Sequence, residues 1–446
     1  MRIPFVILFF CKFLKLSENI DKVVWSALDK GLYVLYGFVV LLQIRRLEPS
    51  ELGLYGILIG IHTWIFIITD SLFYQAIIQF GFKEETERRA NTLAFLLSFA
   101  FVFLFTFVFS VFSDFWVYFF KEKGLRKVAF YLPLLSIITL PRVFCLKFAF
   151  KHSNMFKLFL VNSAFFIPMS ILTVVFYFQK PVFRFETQME IYFSGTIISS
   201  LVAILILRKN IRFGFRGNLK LREYFSFGLP MMSYSLFQSI PRQLDVLFLQ
   251  YFFESRIVGL YYSAKTLFRL FEEGLNAGYG LVYPTAVRLI AKNRKEELFS
   301  LIVKSTSFTF LFLMLLFIAL EFGGSKFFIN LFLPERYSMA ISFFNFMLIA
   351  TVFMPLQLSA SVMIAENKVR LVAKYIFLSS LTSVLVFVIV GYFGLVNLTP
   401  LGLVAYYSFF GILLYFNMKK DYQFRFIHLF QGVKDVTAFV IAKRKK

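Results

Sequence analysis

The chain has 446 residues, 59% of them hydrophobic, and 48 Lys and Arg against 25 Asp and Glu, for a net charge of +23. A mean hydropathy of +0.74 and an apolar share above the roughly 45–50% of soluble domains exclude a water-soluble enzyme or binding module and indicate a polytopic membrane protein. The cations cluster between apolar runs rather than along one helix or sheet face, so they are a topology signal, and nucleic acid is not an expected partner.

Cysteine and histidine are nearly absent. Cys11 and Cys145 lie far apart in apolar runs, and His62, His152 and His428 share no ligand-like spacing, so neither a redox pair nor a zinc site is assembled. The chain holds no Walker A loop, no H-E-x-x-H and no G-x-S-x-G, which removes the nucleotide-driven and hydrolytic classes that depend on them. Neither an enzyme nor a metal or organic cofactor is expected.

In chain order, residues 1–22 read as an amphipathic N-terminal segment in the membrane plane. A cleaved signal peptide is the alternative, but Phe9-Phe10-Cys11-Lys12 offers no small-residue cleavage site. Apolar runs long enough to span, about 17–25 residues each, then fall near 23–44, 53–80, 91–119, 127–148, 155–178, 190–208, 224–250, 257–287, 298–320, 340–365, 371–393 and 400–418. Twelve transmembrane helices are therefore expected, with short connections and no soluble domain.

Counting Lys and Arg in alternate loops orients the chain. One set holds Lys83, Arg88 and Arg89, then Lys147, Lys151 and Lys157, then the run from Arg208 to Arg222, Arg288 to Lys295, and Lys368 to Lys374; the opposite loops hold fewer. The loop with Lys121, Lys123, Arg126 and Lys127 goes against the trend. Both termini are expected on the cytoplasmic side of a bacterial or archaeal cytoplasmic membrane, with residues 419–446 a basic tail that fixes topology and touches anionic lipid.

The chain repeats itself. Glu48-Pro-Ser-Glu-Leu-Gly53-Leu-Tyr55 matches Glu254-Ser-Arg-Ile-Val-Gly259-Leu-Tyr261 at an offset of 206 residues, and both copies open the second helix of a six-helix half. The expected architecture is all-α, with halves 23–220 and 221–418 as parallel repeats around a central cavity, and ligand sites between the halves.

Two helices carry rows of charge. Gln238, Arg242 and Asp245 stand at i, i+4 and i+7, and Lys265, Arg269, Glu272, Glu273 and Asn276 follow at steps of three and four, so each row lies on one helix face. An arginine in the hydrocarbon core costs at least about 2.5–3.5 kcal/mol, a penalty that suits side chains lining a wet cavity. With a rise of about 1.5 Å per residue, Lys30 and its neighbour Asp29 lie about 10 Å inside the cytoplasmic end of the first span, with Asp70 near the same level. Arg242 and Lys265 sit at an outer level, and Arg269 lies between. Lys30, Arg269, Lys265 and Arg242 thus form a ladder of candidate anion-binding cations, with Asp29, Asp70, Asp245, Glu272 and Glu273 as counter-charges. A structural Asp29–Lys30 pair, a snorkelling Lys265 and neutralisation of Arg269 by the two glutamates are the bland alternatives. Arg142, after Pro141, is a weaker candidate of the same kind. Pro230, Pro241 and Pro284 mark bends.

Arg46-Leu-Glu-Pro-Ser-Glu-Leu-Gly53-Leu-Tyr55 with Asp70-Ser-Leu-Phe-Tyr-Gln-Ala, then Phe227-Gly228-Leu-Pro230, Gln243-Leu-Asp245, Gly259-Leu-Tyr261 and Tyr283-Pro284, resemble the bacterial polysaccharide-unit flippases, the Wzx-like branch of the MOP exporter superfamily. The turn Arg45-Arg46-Leu47 is more basic than that pattern, and Arg242 after Pro241 is not matched by it. The resemblance implies a twelve-helix MATE-like fold that moves an undecaprenyl-pyrophosphate-linked oligosaccharide from the inner to the outer leaflet for cell-surface polysaccharide such as O-antigen. It also implies a polysaccharide polymerase and chain-length machinery as partners. A carboxylate released when the anion enters could take up H+ or Na+ and couple transport to a gradient. Alternatives are a drug or metabolite antiporter of the same superfamily, which should present unpaired acids, and an exporter of lipid II or a teichoic-type polymer, whose head-group chemistry is the same. A polytopic glycosyltransferase or polymerase needs a sizeable catalytic loop that this chain lacks.

Overall fold

In the computed structural model, residues 20–425 and 427–429 are described; most of the N-terminal segment expected over 1–22 and most of the tail expected over 419–446 lie outside them. Among the described residues twelve long helices follow one another. They are α1 (Ile20–Arg46), α2 (Pro49–Gln79), α3 (Glu84–Val111), α4 (Leu125–Lys151), α5 (Met155–Gln179), α6 (Phe185–Leu207), α7 (221–252), α8 (Ser255–Ala291), α9 (Lys295–Phe332), α10 (Met339–Ala365), α11 (Val369–Tyr392) and α12 (Leu401–Tyr422). Extended structure among the described residues is limited to a single bridge between Leu47 and Phe183. Such an all-helical layout follows from the solvent, because a helix satisfies its own backbone groups within the segment.

Ten of these helices are long and apolar enough to cross a membrane. The other two, α7 and α8, are those that bear the charged rows. Outward faces are strongly apolar: on α3, Phe99, Phe103, Leu104 and Phe107 are all exposed, a surface that suits acyl chains and not water. The protein is a multi-pass membrane protein.

Two segments differ from the expected spans. The third run stops at Val111, and a separate short helix, Ser113–Phe120, follows a non-helical Phe112; Ser113 and Asp114 compete for backbone hydrogen bonds and favour a helix start over a helix interior. The ninth run extends to Phe332 but bends at Gly323, whose φ of 107° only glycine adopts without strain.

The chain divides into two compact units, Met1–Leu236 and Phe237–Lys446, so the division falls inside α7. In the first unit the core gathers Phe73, Tyr74, Ile77, Phe144, Phe148 and Tyr224, and the Tyr224 hydroxyl donates to the Phe73 carbonyl at 2.9 Å. Gly195 of α6 lies against α5 so closely that a Cβ there would stand 2.4 Å from the Phe165 carbonyl oxygen. A small residue at this point lets the two backbones approach, as membrane helix pairs require. Buried amides add polar ties between helices: Gln188 donates to Gln43 at 2.6 Å and Gln43 to Thr173 at 2.7 Å. The segment after α6 is pinned to α3, with Arg89 donating to the Gly217 carbonyl and Asn91 to the Arg212 carbonyl, each at 2.9 Å.

In the second unit, Gly402 of α12 faces the Phe387 ring of α11, and Gly391 of α11 faces the Phe252 ring of α7. The Ser383 hydroxyl donates to the Gly402 carbonyl at 2.7 Å. Between α10 and α11, Lys368 donates to Glu366 at 2.7 Å and to Asp421 of α12 at 2.9 Å. Burial works against the Lys368 charge, but hydrogen bonds from its ammonium to these two carboxylates hold its pKa above the ordinary lysine value.

Candidate functional site

The charged rows of α7 and α8 meet where α7 leaves α-helical geometry. Pro241 has no N–H to give to the carbonyl four residues earlier, and that carbonyl, on Phe237, accepts instead from the Ser380 hydroxyl at 2.5 Å. The helix widens there into a π turn, Ile240–Leu244. In a regular helix the Arg242 carbonyl would accept from the N–H of Val246. Here Val246 N–H donates to the Asp245 Oδ1 at 3.0 Å, and the Arg242 carbonyl accepts from the Lys265 ammonium at 2.7 Å.

Lys265 is closed in. Its Nζ lies 2.6 Å from Asp245 Oδ1 and 2.5 Å from Oδ2, and the two side chains are 2% and 0% exposed. The Tyr261 hydroxyl gives the same carboxylate a further bond of 2.6 Å. Burial to this degree rules out the snorkelling alternative for Lys265, because the ammonium is held by protein oxygens and does not reach outward. A buried ion pair survives when its remaining donors and acceptors are also satisfied, a condition that Tyr261, the Arg242 carbonyl and Val246 N–H meet here.

Arg242 and Glu272 form the more open part of the cluster. Arg242 Nε stands 3.6 Å from Glu272 Oε1, and the arginine side chain keeps 25% of its exposure against 9% for the glutamate. The Tyr407 hydroxyl of α12 donates to the same Glu272 oxygen. Arg269, one turn before Glu272, is half-buried with its guanidinium carbon 5.4 Å from the centre of the Tyr262 ring. Glu272 thus turns to Arg242 and Tyr407, a different arrangement from neutralisation of Arg269 alone. Glu273 and Gln238 are half-buried, and Asn276 is exposed.

The first unit holds a second, half-buried polar network. Asn162 of α5 donates to Asp29 of α1 at 2.7 Å and accepts from Arg142 of α4, also at 2.7 Å. Arg142 Nε donates to Ser199 of α6 at 2.9 Å, and its guanidinium lies 4.4 Å from the centre of the Phe165 ring. Asp29 therefore reaches a cation through an amide, while its sequence neighbour Lys30 is exposed. Asp70 begins the π turn of α2, Asp70–Tyr74, forms an ion pair with Lys147 of α4 and accepts from Gln75 at 2.9 Å. That partner is a loop cation in the sequence reading, not a member of the ladder; the π turn and the opposing end of α4 bring the two together.

Of the residues singled out from sequence, the structure gathers Arg242, Asp245, Lys265 and Glu272 into one cluster and places Asp29 with Arg142 in another. Sequence reasoning missed Tyr261, Tyr407, Asn162 and Ser199 as their partners. Asn162, a lone amide within an apolar run, carries a legible signal, whereas a tyrosine that is one of 22 carries none. Groups of three or more metal-ligating side chains are absent among the described residues.

Solved structures with the same fold cover nearly the whole chain. One is described as a multidrug resistance MATE family transporter of the MOP superfamily in an inward-facing conformation, with a TM-score of 0.68 at 13% identity over 94% of this chain and 98% of that one. Another is the lipid II flippase MurJ in an inward closed conformation, with a TM-score of 0.71 at 12% identity, covering 95% and 93%. A MOP superfamily transporter from Pyrococcus furiosus, whose description notes a reversed polarity of the binding pocket, follows at a TM-score of 0.56 and 12% identity, covering 93% and 94%. These likenesses give a MOP-like fold. No curated protein matches the sequence. The family model described as "Polysaccharide biosynthesis protein" matches residues 20–285.

Proposed function

The chain belongs to the polysaccharide biosynthesis protein family, and we propose that within it the protein is a flippase, carrying an undecaprenyl-pyrophosphate-linked oligosaccharide from the cytoplasmic to the outer leaflet by alternating access. It makes and breaks no covalent bond. The bacterial or archaeal cytoplasmic membrane, with both termini cytoplasmic, is the setting in which that substrate is made, and the product passes to polymerase and chain-length machinery on the far side. The halves proposed for this motion are 23–220 and 221–418.

One observation carries the reading. Arg242 is a partly open cation on α7, balanced by a carboxylate 3.6 Å away, which is beyond hydrogen-bond length. A diphosphate offers closer, bidentate oxygens to a guanidinium and displaces the weaker partner. Arg269 and, at the inner level, Lys30 supply further positive charge along the path. Glu272, displaced from Arg242, is the carboxylate through which uptake of H+ or Na+ couples the cycle to a gradient.

An antiporter of organic cations needs acids that await a ligand. Here Asp245, Glu272, Asp70 and Asp29 all accept from protein donors, which counts against that alternative. The likeness to a lipid II flippase fits the same head-group class, so the lipid diphosphate is the part of the substrate this site reads. Alanine at Arg242 or Arg269 should stop translocation while the protein remains in the membrane, and full activity of both variants would refute the assignment.

A further inference from the structure

The sequence reading gives Lys265 and Arg242 the same task. We propose that they have different ones: Lys265 is a positioning residue that sets the main chain of Arg242, and of the two only Arg242 meets the anionic ligand. The inference takes its ligand class from the function proposed above and its division of labour from geometry alone.

An ammonium has three protons to donate. Those of Lys265 face the Arg242 carbonyl at 2.7 Å and the two Asp245 oxygens at 2.6 and 2.5 Å, so its donor capacity is filled by protein. A phosphate oxygen would have to displace Asp245, which is wholly enclosed and held in addition by Tyr261 at 2.6 Å. Removing that carboxylate leaves a buried charge without its counter-ion, a costly state. Arg242 stands on different terms, with a quarter of its side chain open and its carboxylate 3.6 Å away.

The contact from Lys265 to Arg242 is to the backbone and not to the guanidinium. It occurs at the carbonyl whose usual helical donor, Val246 N–H, is held by Asp245. Lys265 thus donates to the carbonyl, and Asp245 accepts from the N–H, that pair with each other in a regular helix. The two side chains tie α8 to α7 at the residue whose side chain carries the ligand-facing charge. Orientation of such a cation matters because a displacement of about 1 Å can cost on the order of a hundredfold in a positioned interaction.

A double-mutant cycle separates the two roles. Purified protein in detergent is titrated with undecaprenyl pyrophosphate, and binding is followed by native mass spectrometry, with melting curves recorded in parallel. The neutral pair Asp245→Asn/Lys265→Met leaves no uncompensated charge and keeps similar side-chain shapes. It should bind roughly tenfold or more weakly, a loss on the scale of one hydrogen bond to a charged group. Arg242→Gln should also bind weakly, and the triple variant no more weakly than Arg242→Gln alone. A multiplied loss in the triple variant would show Lys265 touching the ligand itself and overturn the inference while leaving the flippase reading intact. Wild-type binding by the neutral pair would overturn it too. Absence of binding by the wild-type protein would instead remove the ligand class on which both rest. If the neutral pair does not fold, Tyr261→Phe serves in its place: it keeps the ion pair, loosens Asp245, and should weaken binding by about threefold, a fraction of one hydrogen bond. Unchanged affinity in that variant would count against the inference.

Discussion

Replacing Asp245 by alanine tests the buried pair most severely. In the native protein both carboxylate oxygens lie within 2.6 Å of the Lys265 ammonium, and the two side chains are 0% and 2% exposed. The substitution leaves that ammonium with the Arg242 carbonyl and takes from Tyr261 the acceptor it reaches at 2.6 Å. Breaking a buried pair by removing one partner costs about 3–5 kcal/mol, a large part of the roughly 5–15 kcal/mol that keeps a typical protein folded. For a unit the size of Phe237–Lys446, where 1 kcal/mol corresponds to about 2–4 °C, the melting midpoint should fall by about 6–20 °C. The neutral pair Asp245→Asn/Lys265→Met removes the charge from both sides and should recover part of that loss, because no uncompensated charge stays buried although the Arg242 carbonyl loses its donor. Melting of detergent-solubilised protein, followed by the fluorescence of a thiol-independent dye or by circular dichroism, measures both variants. A single variant melting within about 2 °C of wild type, or a double variant as unstable as the single, would refute the argument that burial makes this pair obligatory.

Further expectations follow from other parts of the fold. Gly195→Ala places a Cβ 2.4 Å from the Phe165 carbonyl oxygen, a backbone atom that cannot move aside alone, so α5 and α6 must separate; a loss of about 1–3 kcal/mol is expected, and an unchanged midpoint would contradict the packing described. Asn162→Ala deprives Asp29 of its donor and Arg142 of its acceptor; it should cost about 1–3 kcal/mol, more than Asn210→Ala, whose link to Lys157 lies outside this network. Lys368 has its pKa raised by the carboxylates of Glu366 and Asp421, so its contribution is fully present below the ordinary lysine value of about 10.4 and is lost as pH rises through the raised one. Lys368→Met should therefore be less stable than wild type at neutral pH, by no more than about 1 kcal/mol because the lysine side chain is 37% exposed. The gap should close in alkaline solution, and a gap that widens with pH would reverse the sign of the argument.

Ten of the twelve helices were legible because they are long and apolar enough to span, and α7 and α8, less apolar, were legible by their charged rows; each expected run coincides with a helix to within several residues at most ends. What escaped was local. A π turn leaves no mark on hydropathy, so nothing in the spacing of Gln238, Arg242 and Asp245 shows that the Arg242 carbonyl turns to Lys265; Pro241 alone hints at a broken ladder. The row on α8 was legible as a face of polar residues, but which member is enclosed and which is open depends on neighbours such as Tyr407, 135 residues from Glu272. Likewise Asp29 and Arg142 were each visible as charges in apolar runs, and only the fold brings Asn162 between them. Sequence periodicity reports the face on which a side chain lies; which oxygen it meets is decided by the crossing of two helices.

In the function proposed above, this protein moves a lipid diphosphate glycan across the membrane. Its most direct test is mass spectrometry of lipid-linked glycans from source cells depleted of the protein, with the leaflet assigned by access of periodate or lectin to the sugar. One undecaprenyl-pyrophosphate glycan should accumulate on the cytoplasmic side, and the wild-type protein, but not Arg242→Ala, should clear it. Depleted cells that accumulate no such lipid and become sensitive to cationic dyes would refute the flippase in favour of the antiporter.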